Sequence, residues 1–286
     1  MEIKKVAVIG GGLMGRQIGL NAAIYPYEVK LFDVMPAVRE AVKAWEDEYL
    51  AGRIAKGRMT EEQVAGIKSR FSVAETIEEA VSDADLVIEA VLERKDVKHS
   101  VMKQLSDICR EDCIIASNSS YMVSSTFLED VKNPSRLCNM HFFNPALVMK
   151  LVEVCRGPHT SDETVEIALD FARKVGKTPI TIQKEIDGFI ANRILSAINA
   201  EARKLVEDGY VTYQDLDTAC ENGLGHPMGP FRLNDLTGVD LTFDIMERKY
   251  KESGKKPAGY DLCKQMVAEG KLGKKTGEGF YKYDKK

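Results

Sequence analysis

The run His141-Phe142-Phe143-Asn144-Pro145, with Glu153 following in Met149-Lys150-Leu151-Val152-Glu153-Val154, supplies a candidate acid/base, a polar ligand contact and an orienting carboxylate in one short stretch. A histidine titrates near neutral pH, so its ring can take a hydroxyl proton while hydride leaves the adjoining carbon. Glu153 alternates with Val152 and Val154 in a strand-like run, where a carboxylate is costly unless paired. Pairing with His141 accounts for it, whether that pair is catalytic or a structural ion pair. Of the four histidines, His99 and His159 are expected at the surface, and His226, before Pro227, in a structural loop. Interconversion of an alcohol and a ketone in this way needs a hydride carrier, which elements upstream must hold.

The N-terminus carries a pattern suited to one. Val6-Ala7-Val8-Ile9 is a continuous apolar run, as a strand buried on both faces of a parallel sheet should be. Gly10-Gly11-Gly12-Leu13-Met14-Gly15 follows at once, and Gln17 to Ile24 suits a helix. In Gly10-x-Gly12-x-x-Gly15 the first glycine permits a tight turn, the second lets backbone approach a pyrophosphate, and the third allows close helix–strand packing. Leu13 and Met14 share that loop, and phosphates would rest on the helix N-terminus. A second strand, Glu28 to Phe32, ends at Asp33. A carboxylate there can accept from ribose hydroxyls and repels a 2′-phosphate. Val34-Met35-Pro36 supplies no arginine to hold one. The expectation is NAD(H) rather than NADP(H).

Residues 37–70 interrupt a simple alternating order. Ala37 to about Ala55 reads as a charged helix around Val42, Trp45, Tyr49 and Ile54, and Gly57 breaks it. Thr60-Glu61-Glu62-Gln63 has capping-box spacing for a second helix, which predicts a helical hairpin. Leu86-Val87-Ile88, Cys113 to Ala116, Leu137 to Met140 and Leu151 to Val154 read as further strands. The composition changes after Ile180. Asp187-Gly188 is expected to open a long helix through Leu205, ended by Gly209, with another starting at Thr212 to Asp215. The boundary is therefore placed near residues 183–187, giving domains 1–184 and 185–286.

A chain of 286 residues is long enough for about two domains. A net charge of −4 gives no case for nucleic acid or an anionic membrane as partner. No stretch approaches the length of a membrane helix, and the start is not expected to be a signal peptide. The six cysteines form no CxxC pair, so free thiols in a reducing cytoplasm are favoured over disulfides or a metal site.

Taken together, these segments resemble the 3-hydroxyacyl-CoA dehydrogenase family, particularly its bacterial 3-hydroxybutyryl-CoA dehydrogenases. The matching stretches are Val8 to Gly15, Ile88-Glu89-Ala90-Val91-Leu92-Glu93, Ala116 to Ser120, His141 to Val154, Gly188 to Arg193, His226 to Phe231 and Thr276 to Tyr281. The resemblance implies an α/β fold: an N-terminal Rossmann-like domain with an inserted helical hairpin, and an all-α C-terminal domain that forms a homodimer. It implies NAD-dependent interconversion of (S)-3-hydroxyacyl-CoA and 3-oxoacyl-CoA. His141 would be the general acid/base and Glu153 its partner. Ser120 would contact the reacting oxygen or nearby thioester and border the cofactor, and Asn192 would position substrate. Glu93, Lys98, Asn144 and Lys275 would join Asp33 and the glycines around NAD.

Plainer readings stand beside these roles. Ser120 could merely end a strand, Asn192 could be an ordinary helix residue, and Lys98 and Lys275 solvated surface charges. Arg53 and Lys56, with Lys43, Arg58 and Lys68, make the 43–70 segment a candidate receiver for CoA phosphates, or only a solvated face. Ser120-Tyr121-Met122 departs from the family's small-hydroxyl and aliphatic pattern. Those larger residues could favour short acyl chains or signal a non-CoA 3-hydroxy acid or sugar acid. A non-catalytic nucleotide-binding relative is the remaining alternative.

Overall fold

The computed structural model describes residues 1–284. It divides into two compact units, Met1–Ile190 and a second beginning at Ala191. The first runs β1 (Lys5–Ile9), α1 (Leu13–Ile24), β2 (Glu28–Phe32), α2 (Pro36–Ala55), α3 (Glu61–Arg70), β3 (Phe71–Val73), α4 (Ile77–Val81), β4 (Leu86–Glu89), α5 (Lys95–Ile108), β5 (Ile114–Ser117), β6 (Leu137–Phe142), β7 (Leu151–Cys155), α6 (Asp162–Lys174) and β8 (Thr178–Ile182).

Its eight strands form one sheet in the order β3-β2-β1-β4-β5-β6-β7-β8. Every pairing is parallel except β6 with β7. β4, β5 and β6 are buried along their whole length, because helices cover both faces of a parallel sheet. The order reverses direction between β1 and β4, which opens a crevice beyond their carboxyl ends. The edge strands are tolerant ones: β3 has three residues, and Pro179 in terminal β8 removes no donor that an inner strand would need.

The inserted hairpin is α2 and α3. At its turn, Thr60 Oγ1 accepts from Gln63 N at 3.2 Å and Gln63 Oε1 accepts from Thr60 N at 2.9 Å. α2 buries Val42, Glu46 and Leu50, so a carboxyl sits in an otherwise apolar stripe.

Residues 187–190 do not begin the long helix expected there. Gly188 and Phe189 have φ of +75° and +47°, left-handed values that an α-helix excludes. Phe189 N donates to Ile186 O at 3.1 Å, closing a tight turn, and helix α7 (Ala191–Glu207) starts only afterwards. The Asp-Gly pair marks that turn rather than a helix start. Accordingly the two units part after Ile190, beyond the residue-184 boundary placed on composition.

The second unit continues with α8 (Tyr213–Gly223), α9 (Pro230–Thr237), α10 (Val239–Ser253) and α11 (Tyr260–Ala268). They enclose a core including Leu216, Phe231, Val239, Met246 and Cys263. Among the described residues, no helix is long and apolar enough to cross a membrane.

Candidate active site

The loop between β1 and α1 has the shape needed for a dinucleotide phosphate. Gly10 has φ +109°, and a Cβ there would lie 2.5 Å from Ala90 O in the loop after β4. A Cβ on Gly15 would lie 1.8 Å from Gly10 O, so helix and turn pack at a distance only glycine allows. Gly12 differs: its Cβ direction meets nothing within 4 Å, and as N-cap of α1 it offers no side chain to the first amides. Open space above uncapped amides fits a pyrophosphate. Asp33 accepts from Gly11 N at 2.7 Å and Met35 N at 2.9 Å, which fixes its carboxylate at the end of β2 beside the glycine loop.

Beyond β4 lies a buried charge network that the sequence reveals only in part. Lys98 is 1% exposed, which corrects the alternative that it is a solvated surface charge. Its Nζ donates to Glu89 Oε1 at 2.7 Å and lies 3.2 Å from Glu93 Oε2. Ser117 Oγ donates to Glu89 Oε2 at 2.7 Å, and Ser119 Oγ donates to Glu93. Glu89, itself fully buried, thus joins the ends of β4 and β5 to α5. Its signal was a carboxylate closing the apolar run Leu86-Val87-Ile88, the same signal that singled out Glu153.

The acid/base geometry comes from the one antiparallel pairing. His141 on β6 and Glu153 on β7 are register partners, so their side chains share a face of the sheet. His141 Nδ1 lies 2.8 Å from Glu153 Oε2 and Nε2 lies 3.1 Å from Ser120 Oγ. A carboxylate only accepts, so Nδ1 carries the hydrogen and Nε2 presents its lone pair to the Ser120 side. Ile190 N donates to the other Glu153 oxygen at 3.0 Å. The rings of Phe143 and Phe189 flank the imidazole at centroid distances of 4.4 and 5.3 Å. Asn118 Oδ1 accepts from Phe142 N at 2.8 Å, tying the Ser120 loop to β6. This arrangement can accept and return one proton at Nε2 while Glu153 holds the tautomer.

Other expected residues fall elsewhere. Asn144 is exposed in the loop after β6. Arg53 and Lys56 lie at the C-terminal end of α2, Lys56 exposed and Arg53 with its Nε buried and unpartnered. Asn192 and Lys275 belong to the second unit, where Lys275 Nζ donates to both Asp240 oxygens at 2.7 and 2.6 Å. His159 is not a free surface residue: it is half-buried, with Nε2 3.3 Å from Ser124 Oγ, and burial pulls its pKa down. His99 pairs with Asp130 at 2.6 Å.

Residues 5–186 match the 3-hydroxyacyl-CoA dehydrogenase NAD binding domain, and residues 188–283 match the 3-hydroxyacyl-CoA dehydrogenase C-terminal domain. The chain belongs to the 3-hydroxyacyl-CoA dehydrogenase family. As a member it is an NAD-dependent oxidoreductase. The chain is 39% identical to a probable 3-hydroxybutyryl-CoA dehydrogenase of Bacillus subtilis, covering 100% of this chain and 99% of the relative. The solved (S)-3-hydroxybutyryl-CoA dehydrogenase of Ralstonia eutropha superposes with a TM-score of 0.89 at 35% identity, covering 99% of this chain and all of that one. A diketoreductase acting on dicarbonyl compounds superposes at 0.90 with 28% identity, covering 99% of this family member and all of that chain.

Proposed function

We propose that the protein interconverts (S)-3-hydroxybutyryl-CoA and acetoacetyl-CoA, with His141 as general acid/base. The observation that carries this reading is the two-sided bonding of His141, with Glu153 on Nδ1 and Ser120 facing Nε2. Bound NAD would supply the acceptor for the hydride of the 3-carbon, and NADH its donor in reduction. Gly10, Gly12, Leu13, Met14 and Gly15 would cradle its phosphates, and Asp33 its adenosine ribose. Glu93, Lys98, Asn144, Ser120 and Lys275 would complete its surroundings. Asp33 leaves no charge to balance a 2′-phosphate, so NADPH should support little turnover.

In oxidation His141 Nε2 takes the 3-hydroxyl proton, and Glu153 stabilises the imidazolium that forms. In reduction the same nitrogen returns the proton. Ser120 donates to the reacting oxygen or adjacent thioester, and Asn192 orients the acyl group. Arg53 and Lys56 would receive CoA phosphates. The cations gathered at the end of that helix, with Lys56 exposed, support that placement. A homodimer working in the cytoplasm completes the reading, on family resemblance.

A second reading has its own support. Tyr121 is 40% exposed next to Ser120, and the diketoreductase likeness makes a dicarbonyl substrate without CoA the natural competitor. NADH consumption with acetoacetyl-CoA, free acetoacetate and a long-chain 3-oxoacyl-CoA separates the two. Fast turnover with acetoacetyl-CoA alone is the expected result. Preference for a free dicarbonyl would establish the competitor, and NADH binding without turnover of any would indicate a non-catalytic relative.

A further inference from the structure

The segment Glu185–Ile190 touches each part of the acid/base site at a different point. At its far end, Ile190 N donates to Glu153 Oε1 at 3.0 Å. One residue earlier, Phe189 is fully buried and sets its ring 5.3 Å from that of His141. Its left-handed φ of +47° is costly for a non-glycine residue and persists only where neighbouring contacts hold it. At its near end, Glu185 Oε1 accepts from Ser124 Oγ and Ser125 N, both at 2.8 Å, and Oε2 accepts from Ser125 Oγ. Those serines directly follow the Ser120 loop. Val123 of that loop packs with Ile186 and Phe189 beside Cys155 and Ile182.

We infer that Glu185 is a positioning residue for the His141 centre. Its carboxylate anchors the strap to the serine loop, and the Gly188–Phe189 turn then aims the Ile190 amide at Glu153. The inference rests on His141 being the acid/base. The coupling is mechanical and electrostatic. Without the anchor, the strained turn relaxes and Glu153 Oε1 loses its backbone donor. A carboxylate with one donor fewer attracts the imidazolium more strongly, and Ser120 drifts from Nε2.

The test is NMR of imidazole-labelled full-length protein, comparing wild type with Glu185→Ala and Glu185→Gln, with His141→Gln identifying the His141 signals. His159, joined to Glu185 through Ser124, will respond in any case as a local neighbour, so His141 is the deciding signal. In Glu185→Ala the imidazole nitrogen shifts of His141 should depart from wild type as the Glu153 and Ser120 contacts lose their fixed geometry, with a smaller displacement in Glu185→Gln, which retains the side chain's length and is expected to fold. In parallel, kcat with acetoacetyl-CoA should fall about tenfold while the KM for NADH stays within about twofold. His141 nitrogen shifts and a tautomer like wild type in the folded variants would overturn the inference. The NMR comparison needs no substrate, so failure of wild type to turn over acetoacetyl-CoA would reject the proposed reaction without deciding the role of Glu185.

Discussion

His141 and Glu153 stand directly opposite each other across β6 and β7, the only antiparallel neighbours in the sheet, with Nδ1 and Oε2 2.8 Å apart. Both side chains are almost wholly buried. The ring therefore has one orientation open to it, and Nε2 is the nitrogen left for chemistry. Replacing His141 with glutamine should abolish most turnover while NADH binding, measured by fluorescence titration, stays close to wild type. Glu153→Gln is the sharper probe. An amide can donate to Nδ1 and so favour the tautomer with hydrogen on Nε2, and kcat should fall about a thousandfold or more. Near-normal kcat in either variant removes that residue from the mechanism.

Two glycines of the phosphate loop should separate binding from folding. Gly15→Ala drives a methyl into Gly10 O, so thermal unfolding should show a loss of about 1–3 kcal/mol. Gly12→Ala meets open space. Its melting temperature should stay near wild type while calorimetry shows weaker NADH binding, because the methyl fills the place of the pyrophosphate.

Lys98 balances the buried Glu89 and also meets the exposed Glu93. Lys98→Met leaves the buried Glu89 without its cation and should cost about 3–5 kcal/mol in denaturant unfolding. Adding Glu89→Gln to that variant should recover part of the loss. Strict additivity of the two single changes would show that the pair is not coupled.

Glu46 gives a pH signature. Burial, followed by the nearby Asp47, pushes its pKa up to about 7, and its Oε1 has no hydrogen-bond partner. The unfolded chain loses this proton near the ordinary glutamate value, so the stability it contributes is complete below that value. It is lost as pH rises from about 4.5 to about 7. Glu46→Gln should therefore be more stable than wild type at pH about 8, by about 1–3 kcal/mol. The advantage should vanish near pH about 4. An equal difference at both pH values would rule out ionisation of Glu46 as the cause.

The features legible in the sequence share a local cause. The glycine loop lies between an apolar strand and a helix. Thr60 and Gln63 cap a helix within a few residues. Glu153 is conspicuous because it interrupts valines. Lys98 was opaque because Glu93-Arg94-Lys95-Asp96 resembles a solvated run, and only packing of α5 against the end of β4 buries the one lysine that meets Glu89. The strap was opaque for a different reason. Asp187-Gly188 suits a helix start as well as a left-handed turn, and contacts from Cys155, Ile182 and His141 decide between them. β3 is too short for periodicity. α6 and β8 were not anticipated either, since Pro179 argues against a strand except at an edge.

The reversal of β7 also bears on how the protein assembles. The His141–Glu153 contact closes a loop of 12 residues, whereas the cofactor crevice requires β1 to meet β4, as in the Lys5–Asp85 bond across 80. On loop-closure entropy alone the shorter contact is favoured by about 2 kcal/mol. Proton transfer thus depends on a pairing local in sequence, and hydride transfer on one that spans most of the domain. The two halves of the chemistry are inherited from structures of different range.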